Sequence, residues 1–216
     1  MNGKNKVCVS YAGGRIEDID SAIVLCDWLE MRMDLCSFSD DEYKNIFSKI
    51  NNTIAADHSL KAKENLLKAI ELGAKIIDID INNPDFKEVY SKAKSKNRKI
   101  IISEHNFNEL PKAEELNKYI EMCYEMKADY SKIACKLNSN KDILTIANLY
   151  ENPLVTNGDI KLLAMGLGKY GPLSRLISVE FGAPYVYCSY FDDLATAEGQ
   201  LNIFDFLKIY NKLFVE

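Results

Sequence analysis

The sequence lacks the features that mark membrane, nucleic-acid-binding and disulfide-rich proteins. It has no signal-peptide pattern and no apolar run long enough to cross a bilayer. Its net charge of −5 argues against a nucleic-acid partner, because phosphate binding needs a basic face. The six cysteines show no paired metal-ligand spacing, and most lie in apolar runs, as reduced buried thiols do. We therefore expect a cytoplasmic protein without a membrane or nucleic-acid partner.

Linkers are also missing. No Gly/Ser-rich or Pro-rich segment interrupts the chain, which predicts a single domain over residues 1–216. Along that length, short β-rich runs alternate with amphipathic helical stretches. Eight such strand-helix units predict a (β/α)8 TIM barrel. A doubly wound open sheet is the alternative, because its local units look the same.

The strands are expected where β-branched and aromatic residues cluster. They lie near Lys6–Tyr11, Trp28–Leu35, Thr53–Asp57, Ile76–Ile81, Lys99–His105, Tyr130–Leu137, Lys161–Met165 and Tyr185–Tyr190. Helices are expected from Ser59 to Gly73, after Pro84, Pro111 and Pro172, and over Asp142–Tyr150 and Ile203–Leu213. In a barrel, catalytic groups belong at the carboxyl ends of these strands.

Lys132 and His105 occupy matching places on consecutive predicted strands. Lys132 lies in an apolar run, where lost solvation favours the neutral amine that attacks a ketone. His105 is one of only two histidines and can move protons near neutral pH. Taken alone, Lys132 could be a strand-end lysine that reaches solvent, and His105 a hydrogen-bonded core histidine. Together the two residues favour amine catalysis.

Charged residues alternate on the second and fourth predicted strands. Glu30, Arg32 and Asp34 share one face, which is either an inward, functional face or the polar outer face of an edge strand. On the fourth strand, Asp78 and Asp80 could pass for metal ligands. No clustered histidine joins these two aspartates in the sequence, so no metal site is expected.

Two glycine-containing loops follow the last strands. Gly166-Leu167-Gly168-Lys169-Tyr170-Gly171 matches a dinucleotide fingerprint, but it comes late in the chain and Pro172 follows. We favour an anion-binding loop at a helix N-terminus, with Ser174 and Arg175 as donors to a carboxylate. The second loop, Asp192–Leu201, is small and polar, which is consistent with either a lid or an ordinary surface loop.

Five short motifs occur in order over essentially the whole chain. They are E-x-R-x-D at Glu30–Asp34, S-x-H-[DN]-F at Ser103–Phe107, K-I-A at Lys132–Ala134, Met165-Gly166 followed by Ser174-Arg175, and Ala197–Gln200. In this series the chain resembles the type I 3-dehydroquinate dehydratases, the Schiff-base-forming dehydratases of the shikimate pathway. The resemblance implies a hydro-lyase that converts 3-dehydroquinate to 3-dehydroshikimate without metal or organic cofactor. It is also compatible with a homodimer.

The resemblance implies a role for each candidate residue. Lys132 would form an imine with the substrate ketone, and His105 would act as general base and then as general acid. Glu30 joins them in the catalytic group and, with Arg32, would contact substrate hydroxyls. Arg175 would bind the substrate carboxylate. The remaining substrate contacts would come from Ser10, Thr196 and Gln200.

One departure from the family pattern lies at the end of the third strand. The family usually carries an arginine there, whereas this chain has Asp57-His58, and His58 is expected to replace it as a donor. This change leaves two alternatives open. One is a lysine-dependent aldolase-like enzyme with another keto substrate, and the other is a degenerate, non-catalytic barrel.

Overall fold

Strands and helices alternate along the whole of residues 3–214, the part of the chain that a computed structural model describes. The strands are β1 (Val7–Tyr11), β2 (Trp28–Arg32), β3 (Thr53–Ala56), β4 (Ile76–Asp80), β5 (Lys99–Asn106), β6 (Tyr130–Lys136), β7 (Lys161–Leu167) and β8 (Val186–Cys188). The α-helices are α1 (Ile16–Leu25), α2 (Asp40–Lys49), α3 (Ala62–Leu72), α4 (Phe86–Ser95), α5 (Ala113–Glu125), α6 (Asp142–Asn148), α7 (Pro153–Thr156), α8 (Gly171–Glu180) and α9 (Ile203–Phe214). Short 3₁₀ segments cover Gly3–Lys6, Leu149–Glu151 and Asp192–Leu194.

The first of two compact units contains the residues up to Ile100, Tyr187–Thr196 and the residues from Leu201 onward. Its strands β1 to β4 pair in parallel and in chain order. Every residue of β1 and β3 is buried, as expected for parallel strands covered on both faces. The register aligns Ser10 with Glu30, and it aligns Arg32, Ala56 and Asp78 in one row.

The second unit contains Ile101–Val186 and Ala197–Gln200. Here β5, β6 and β7 are parallel neighbours, again in chain order. Ser103, Lys132 and Leu163 form one row across the three strands. His105, Ala134 and Met165 form another row, two residues further toward the carboxyl ends of the strands. The prediction of one domain over residues 1–216 stays a prediction.

Several element ends differ from the sequence prediction, and local hydrogen bonds explain two of them. β2 ends at Arg32 rather than Leu35, because the amides of Leu35 and Cys36 both donate to the Arg32 carbonyl and turn the chain. α3 begins at Ala62 rather than Ser59, because Ser59 donates to Asp57 in the preceding turn. The same helix ends as predicted at Gly73, whose φ of 105° is left-handed.

The described residues contain no helix that is both long and apolar enough to span a bilayer. All six cysteines are free thiols. Burial, the main cause, raises the pKa of Cys26 and Cys123 to about 11 and that of Cys36 and Cys135 to about 12. These four thiols are therefore protonated at neutral pH, as expected for buried or half-buried cysteines with a packing role.

Burial of Leu66 on α3 leads to a stability prediction. Its side chain is fully buried, whereas Leu60, in the preceding turn, is fully exposed. We expect Leu66→Ala to lower the free energy of unfolding by about 2–5 kcal/mol, because the lost apolar contacts leave a cavity. Urea denaturation followed by circular dichroism measures the change. Leu60→Ala is the control and should stay within about 0.5 kcal/mol of the parent. Equal losses in the two variants would contradict the packing.

Candidate active site

Lys132 and His105 lie on the same face of the β5–β6 pair. Lys132 is aligned with Ser103, and His105 stands two residues beyond Ser103 on β5. Since side chains on a strand alternate and aligned residues share a face, Lys132 and His105 point to the same side. A strand spacing of about 4.8 Å and a rise of about 3.3 Å per residue put their Cα atoms about 8 Å apart. An amine and an imidazole on this diagonal can act on one small molecule.

The surroundings of these two side chains differ. Lys132 is 5% exposed, so its amine lies in a poorly solvated environment. The neighbouring Ser103 hydroxyl is fully buried and has no hydrogen-bond partner among residues 3–214. His105 is half-buried, and its ring stacks on that of Phe107 with centroids 6.2 Å apart. The histidine is thus oriented but reachable, while the lysine is largely enclosed.

A buried arginine adds positive charge to this face. Arg175, on α8, is 1% exposed, and its Nη1 lies 3.4 Å from the sulfur of Met165. Met165 stands in the row of His105 and Ala134, so its side chain projects from the same face. The guanidinium therefore contacts Met165 on β7, the strand that pairs with β6, which carries Lys132. A planar fork of N–H donors at this place suits a carboxylate.

Of the two donors predicted for the glycine-rich loop, Ser174 is not available to an anion. The Ser174 hydroxyl accepts from the Gly166 amide at 2.9 Å and donates to the Gly171 carbonyl at 2.8 Å, and it is fully buried. The Gly168 amide donates to the carbonyl of Glu198 at 3.0 Å. The expectation that Ser174 binds an anion is therefore wrong, because its hydroxyl closes the turn between β7 and α8.

In the first unit, Ser10, Glu30 and Thr196 come together. Ser10 Oγ donates to Glu30 Oε2 and lies 3.2 Å from Thr196 Oγ1. Ser10 and Glu30 are 1% and 3% exposed, so the hydroxyl solvates a carboxylate that water barely reaches. The face that carries Glu30 is thus buried, and the alternative of a polar outer face is wrong.

Arg32 is held by Asp34 in a two-pronged ion pair. Its Nε and Nη2 donate to the two Asp34 carboxylate oxygens at 3.0 and 2.8 Å. Burial alone would lower the Arg32 pKa, but the hydrogen bond to Asp34 and the charges of Glu30, Asp34 and Asp78 raise it overall. Burial likewise opposes ionisation of Asp34, yet Arg32 lowers the pKa of that carboxyl below 3.8. The chain turn after β2 is what brings Asp34 back to Arg32.

Asp57 and His58, which end the third strand, have separate roles. The buried Asp57 carboxylate accepts from the Ser59 amide at 2.8 Å, from the Ser59 hydroxyl at 2.7 Å and from Asn65 Nδ2 at 2.7 Å. These bonds organise the entry into α3. His58 is exposed, and a ring nitrogen lies within 4.8 Å of an Asp80 carboxylate oxygen. The sequence expectation that no histidine joins Asp80 is therefore wrong.

Comparisons with known proteins give the family. The family model for type I 3-dehydroquinase matches residues 7–216. The chain belongs to the type I 3-dehydroquinase family. Its resemblance, first indicated by five short motifs, is thereby confirmed.

Two relatives illustrate the extent of the match. The 3-dehydroquinate dehydratase of Methanococcus maripaludis is 32% identical over 201 residues, which cover 87% of this chain and 88% of the relative. The 3-dehydroquinate dehydratase of Dehalococcoides mccartyi is 30% identical over 149 residues. The latter match covers 68% of this chain and spans 64% of the length of the relative.

A solved family structure gives the fold class. Type I 3-dehydroquinate dehydratase from Clostridium difficile, crystallised with covalently modified comenic acid, superposes with a TM-score of 0.77 at 23% identity. The superposition covers 98% of this chain and 93% of that chain. It confirms the predicted (β/α)8 barrel over the doubly wound alternative.

Sequence reasoning missed one ion pair and one set of hydrogen bonds in this dehydroquinase-family chain. Lys136 pairs with Glu198, and Asp57 accepts hydrogen bonds from Ser59 and Asn65. The first could have been anticipated in part, because Lys136 follows Lys132 by an even number of strand residues and so shares its face. Its partner, 62 positions later in the chain, has no local signal.

The Arg32–Asp34 pair leads to a pH prediction. Because the folded-state pKa of Asp34 lies below its usual 3.8, the pair stabilises the fold above about pH 4. That contribution is lost as the pH falls through the lowered value. We expect Asp34→Asn to cost about 1–3 kcal/mol at pH 7 and less at pH 3. Urea denaturation at both pH values measures it.

Asp41→Asn is the matched control for this experiment, since Asp41 pairs with Lys44 but its side chain is 96% exposed. It should change the free energy of unfolding little at either pH. A cost for Asp34→Asn that does not depend on pH would show that the ion pair is not the source of the stability.

Proposed function

We propose that this chain dehydrates 3-dehydroquinate to 3-dehydroshikimate through an imine on Lys132, with His105 as the proton-transfer group. The observation that carries the proposal is the common face of the enclosed Lys132 amine and the half-buried His105 ring. Membership of the type I 3-dehydroquinase family supports 3-dehydroquinate as the substrate. The covalently modified ligand in the Clostridium difficile structure is consistent with covalent chemistry in a relative.

The proposed reaction starts with the neutral Lys132 amine. Its nitrogen attacks the C3 ketone of the substrate, and one water leaves to give an imine. The imine takes up one proton from solvent, and this proton is released again when the imine is hydrolysed. A lysine amine is ordinarily protonated at neutral pH, so the enclosure of Lys132 is what makes this step feasible. The imine then withdraws electrons from the neighbouring C2–H bond.

His105 acts in the two following steps. It removes the C2 proton, and the bonding electrons move to the imine nitrogen to form an enamine. The enamine expels the C1 hydroxyl, which takes the proton from His105 and leaves as water. A second water hydrolyses the conjugated imine, which releases product and restores the amine. The balance is one substrate converted to one product and one water.

The other candidate residues are proposed to hold the substrate. Arg175 would bind the carboxylate, since a buried guanidinium offers two parallel donors. Gln200, half-buried in the last loop, would donate an amide. In the first unit, the Glu30 carboxylate and the fixed Arg32 guanidinium would contact hydroxyls. Ser10, which contacts both Glu30 and Thr196, completes the set together with Thr196.

His58 is proposed to replace the arginine that the family usually carries after the third strand. It is exposed, close to Asp80 and a source of positive charge at Asp34. Asp57 takes no part in substrate binding, because Ser59 and Asn65 occupy its carboxylate. Homodimer formation and a cytoplasmic location stay predictions.

Trapping of the imine tests the role of Lys132. We expect sodium borohydride with 3-dehydroquinate to leave a substrate-derived mass on the peptide that contains Lys132, because reduction fixes the imine. Lys132→Met should lose both the added mass and turnover while keeping the parent circular dichroism spectrum. Lys161→Met is the control, since Lys161 is an exposed lysine at the start of β7. Unmodified Lys132 in folded, active protein would refute the mechanism.

A His105→Gln variant separates proton transfer from imine formation. We expect kcat to fall by about 10²- to 10⁴-fold, because the C2 proton loses its base. Borohydride should still label Lys132, since amine attack does not need the imidazole. Steady-state kinetics and peptide mass spectrometry measure the two effects. Unchanged kcat would remove His105 from the mechanism.

Because the end of the third strand differs from the family pattern, an aldolase-like activity on another keto substrate is the second candidate function. Borohydride trapping with a panel of ketoacids, run beside 3-dehydroquinate, decides between the two. Labelling of Lys132 by another ketoacid alone would favour the aldolase-like activity. Absence of both labelling and turnover would favour a non-catalytic barrel.

A further inference from the structure

One long-range ion pair lies on the catalytic face of the second unit but has no role in the proposed chemistry. Lys136, the last residue of β6, contacts the Glu198 carboxylate with its Nζ. Lys132, Ala134 and Lys136 share a face by strand alternation, so this pair lies further toward the carboxyl end than the imine lysine. The two side chains are 28% and 68% exposed.

The backbone beside Glu198 packs directly on the turn after β7. The Gly168 amide donates to the Glu198 carbonyl at 3.0 Å. Gly199 has a φ of 78°, and a Cβ there would lie 2.3 Å from the Gly168 carbonyl oxygen. A Cβ on Gly171 would lie 3.2 Å from the Gly199 carbonyl oxygen. Gly199 and Gly171 are therefore needed for this close backbone contact.

The Lys136 side chain also lies against this contact. Its Nζ would be 2.7 Å from a Cβ on Gly168. Lys136, the Gly168 turn and the Ala197–Gln200 segment thus meet at one place. Gln200, the proposed substrate ligand, is the last residue of that segment, and its amide donates to the Ala197 carbonyl at 3.1 Å.

We propose that Lys136 is a positioning residue, which uses its ion pair with Glu198 to hold the Ala197–Gln200 segment against the Gly168 turn and so keeps Gln200 in place for substrate. This proposal rests on the proposed function, because only a substrate gives Gln200 its role. In this proposal the segment has a closed state, in which it lies against the Gly168 turn, and the ion pair favours that state. A substrate that needs the closed state binds more weakly when that state is less populated.

The expected effect is modest. A partly exposed ion pair of this kind shifts an equilibrium by up to about fivefold. Such a shift suffices for a short segment of small residues, whose open and closed states need not differ much in stability. Loss of the pair should therefore raise KM by about two- to fivefold and leave kcat within about twofold, since Lys136 does not touch the reacting atoms.

A competing explanation is that Lys136 acts on Lys132 through its charge. A second cation on the same face favours the neutral form of the first. Removal of Lys136 would then shift the pH profile of kcat, whereas removal of Glu198 would shift it in the opposite direction or not at all. The ion-pair proposal instead expects Lys136→Met and Glu198→Gln to change the same quantity in the same direction.

Hydrogen–deuterium exchange of the full-length protein without substrate gives the direct test. The amide of Gly168 reports whether the segment is docked, since it donates to the Glu198 carbonyl across the contact. We expect Lys136→Met and Glu198→Gln each to speed the exchange of this amide about two- to fivefold. The charge-reversed double variant, Lys136→Glu with Glu198→Lys, should restore slow exchange and the parent KM. Lys92→Met is the control, because Lys92 pairs with Glu71 between α4 and α3.

Each outcome has a defined meaning. Faster exchange with a raised KM in both single variants, and recovery in the double variant, supports the proposal. Unchanged exchange in both single variants overturns it, as does faster exchange without any change in KM. If the parent protein does not turn over 3-dehydroquinate, the proposed function fails, and exchange alone still decides whether the ion pair holds the segment.

Discussion

The parallel register of β5, β6 and β7 is the constraint on which the proposed chemistry of this protein depends. It aligns Lys132 with Ser103 and sets His105 two residues further along the neighbouring strand. A shift of one residue would move either side chain to the opposite face of the sheet, where helices pack. The amine would then lose the imidazole with which it is proposed to act. Backbone hydrogen bonds between the strands therefore determine how the two candidate catalytic side chains are placed relative to each other.

Buried charge is the second requirement of such a site, and the first unit shows how it is accommodated. Glu30 accepts from Ser10, and Arg32 is clamped by Asp34. Each contact satisfies a group that would be costly to bury alone. The same contacts limit side-chain motion, so that the carboxylate and the guanidinium are already oriented before any ligand binds. Preorganisation of this kind lowers the cost of binding.

The glycine-rich turn after β7 shows how one sequence pattern can serve different physical ends. Its amides could have bound a phosphate or a carboxylate. Here the Gly168 amide binds a backbone carbonyl, and the absence of side chains lets the Ala197–Gln200 segment approach closely. The pattern indicates only that something approaches the backbone closely. Which group does so, a ligand or another chain segment, depends on residues far away in the sequence.

Sequence alone determined the alternation of strands and helices, the matching positions of Lys132 and His105 on consecutive strands, and the family. These depend on local periodicity and on motifs whose residues are close together in the chain. Tertiary structure decided that Ser174 closes a turn, that Asp57 organises α3, that His58 approaches Asp80 and that Lys136 meets Glu198. The reason is physical. A polar side chain takes the partner that folding brings within hydrogen-bond distance, and for contacts between distant segments no local pattern specifies that partner.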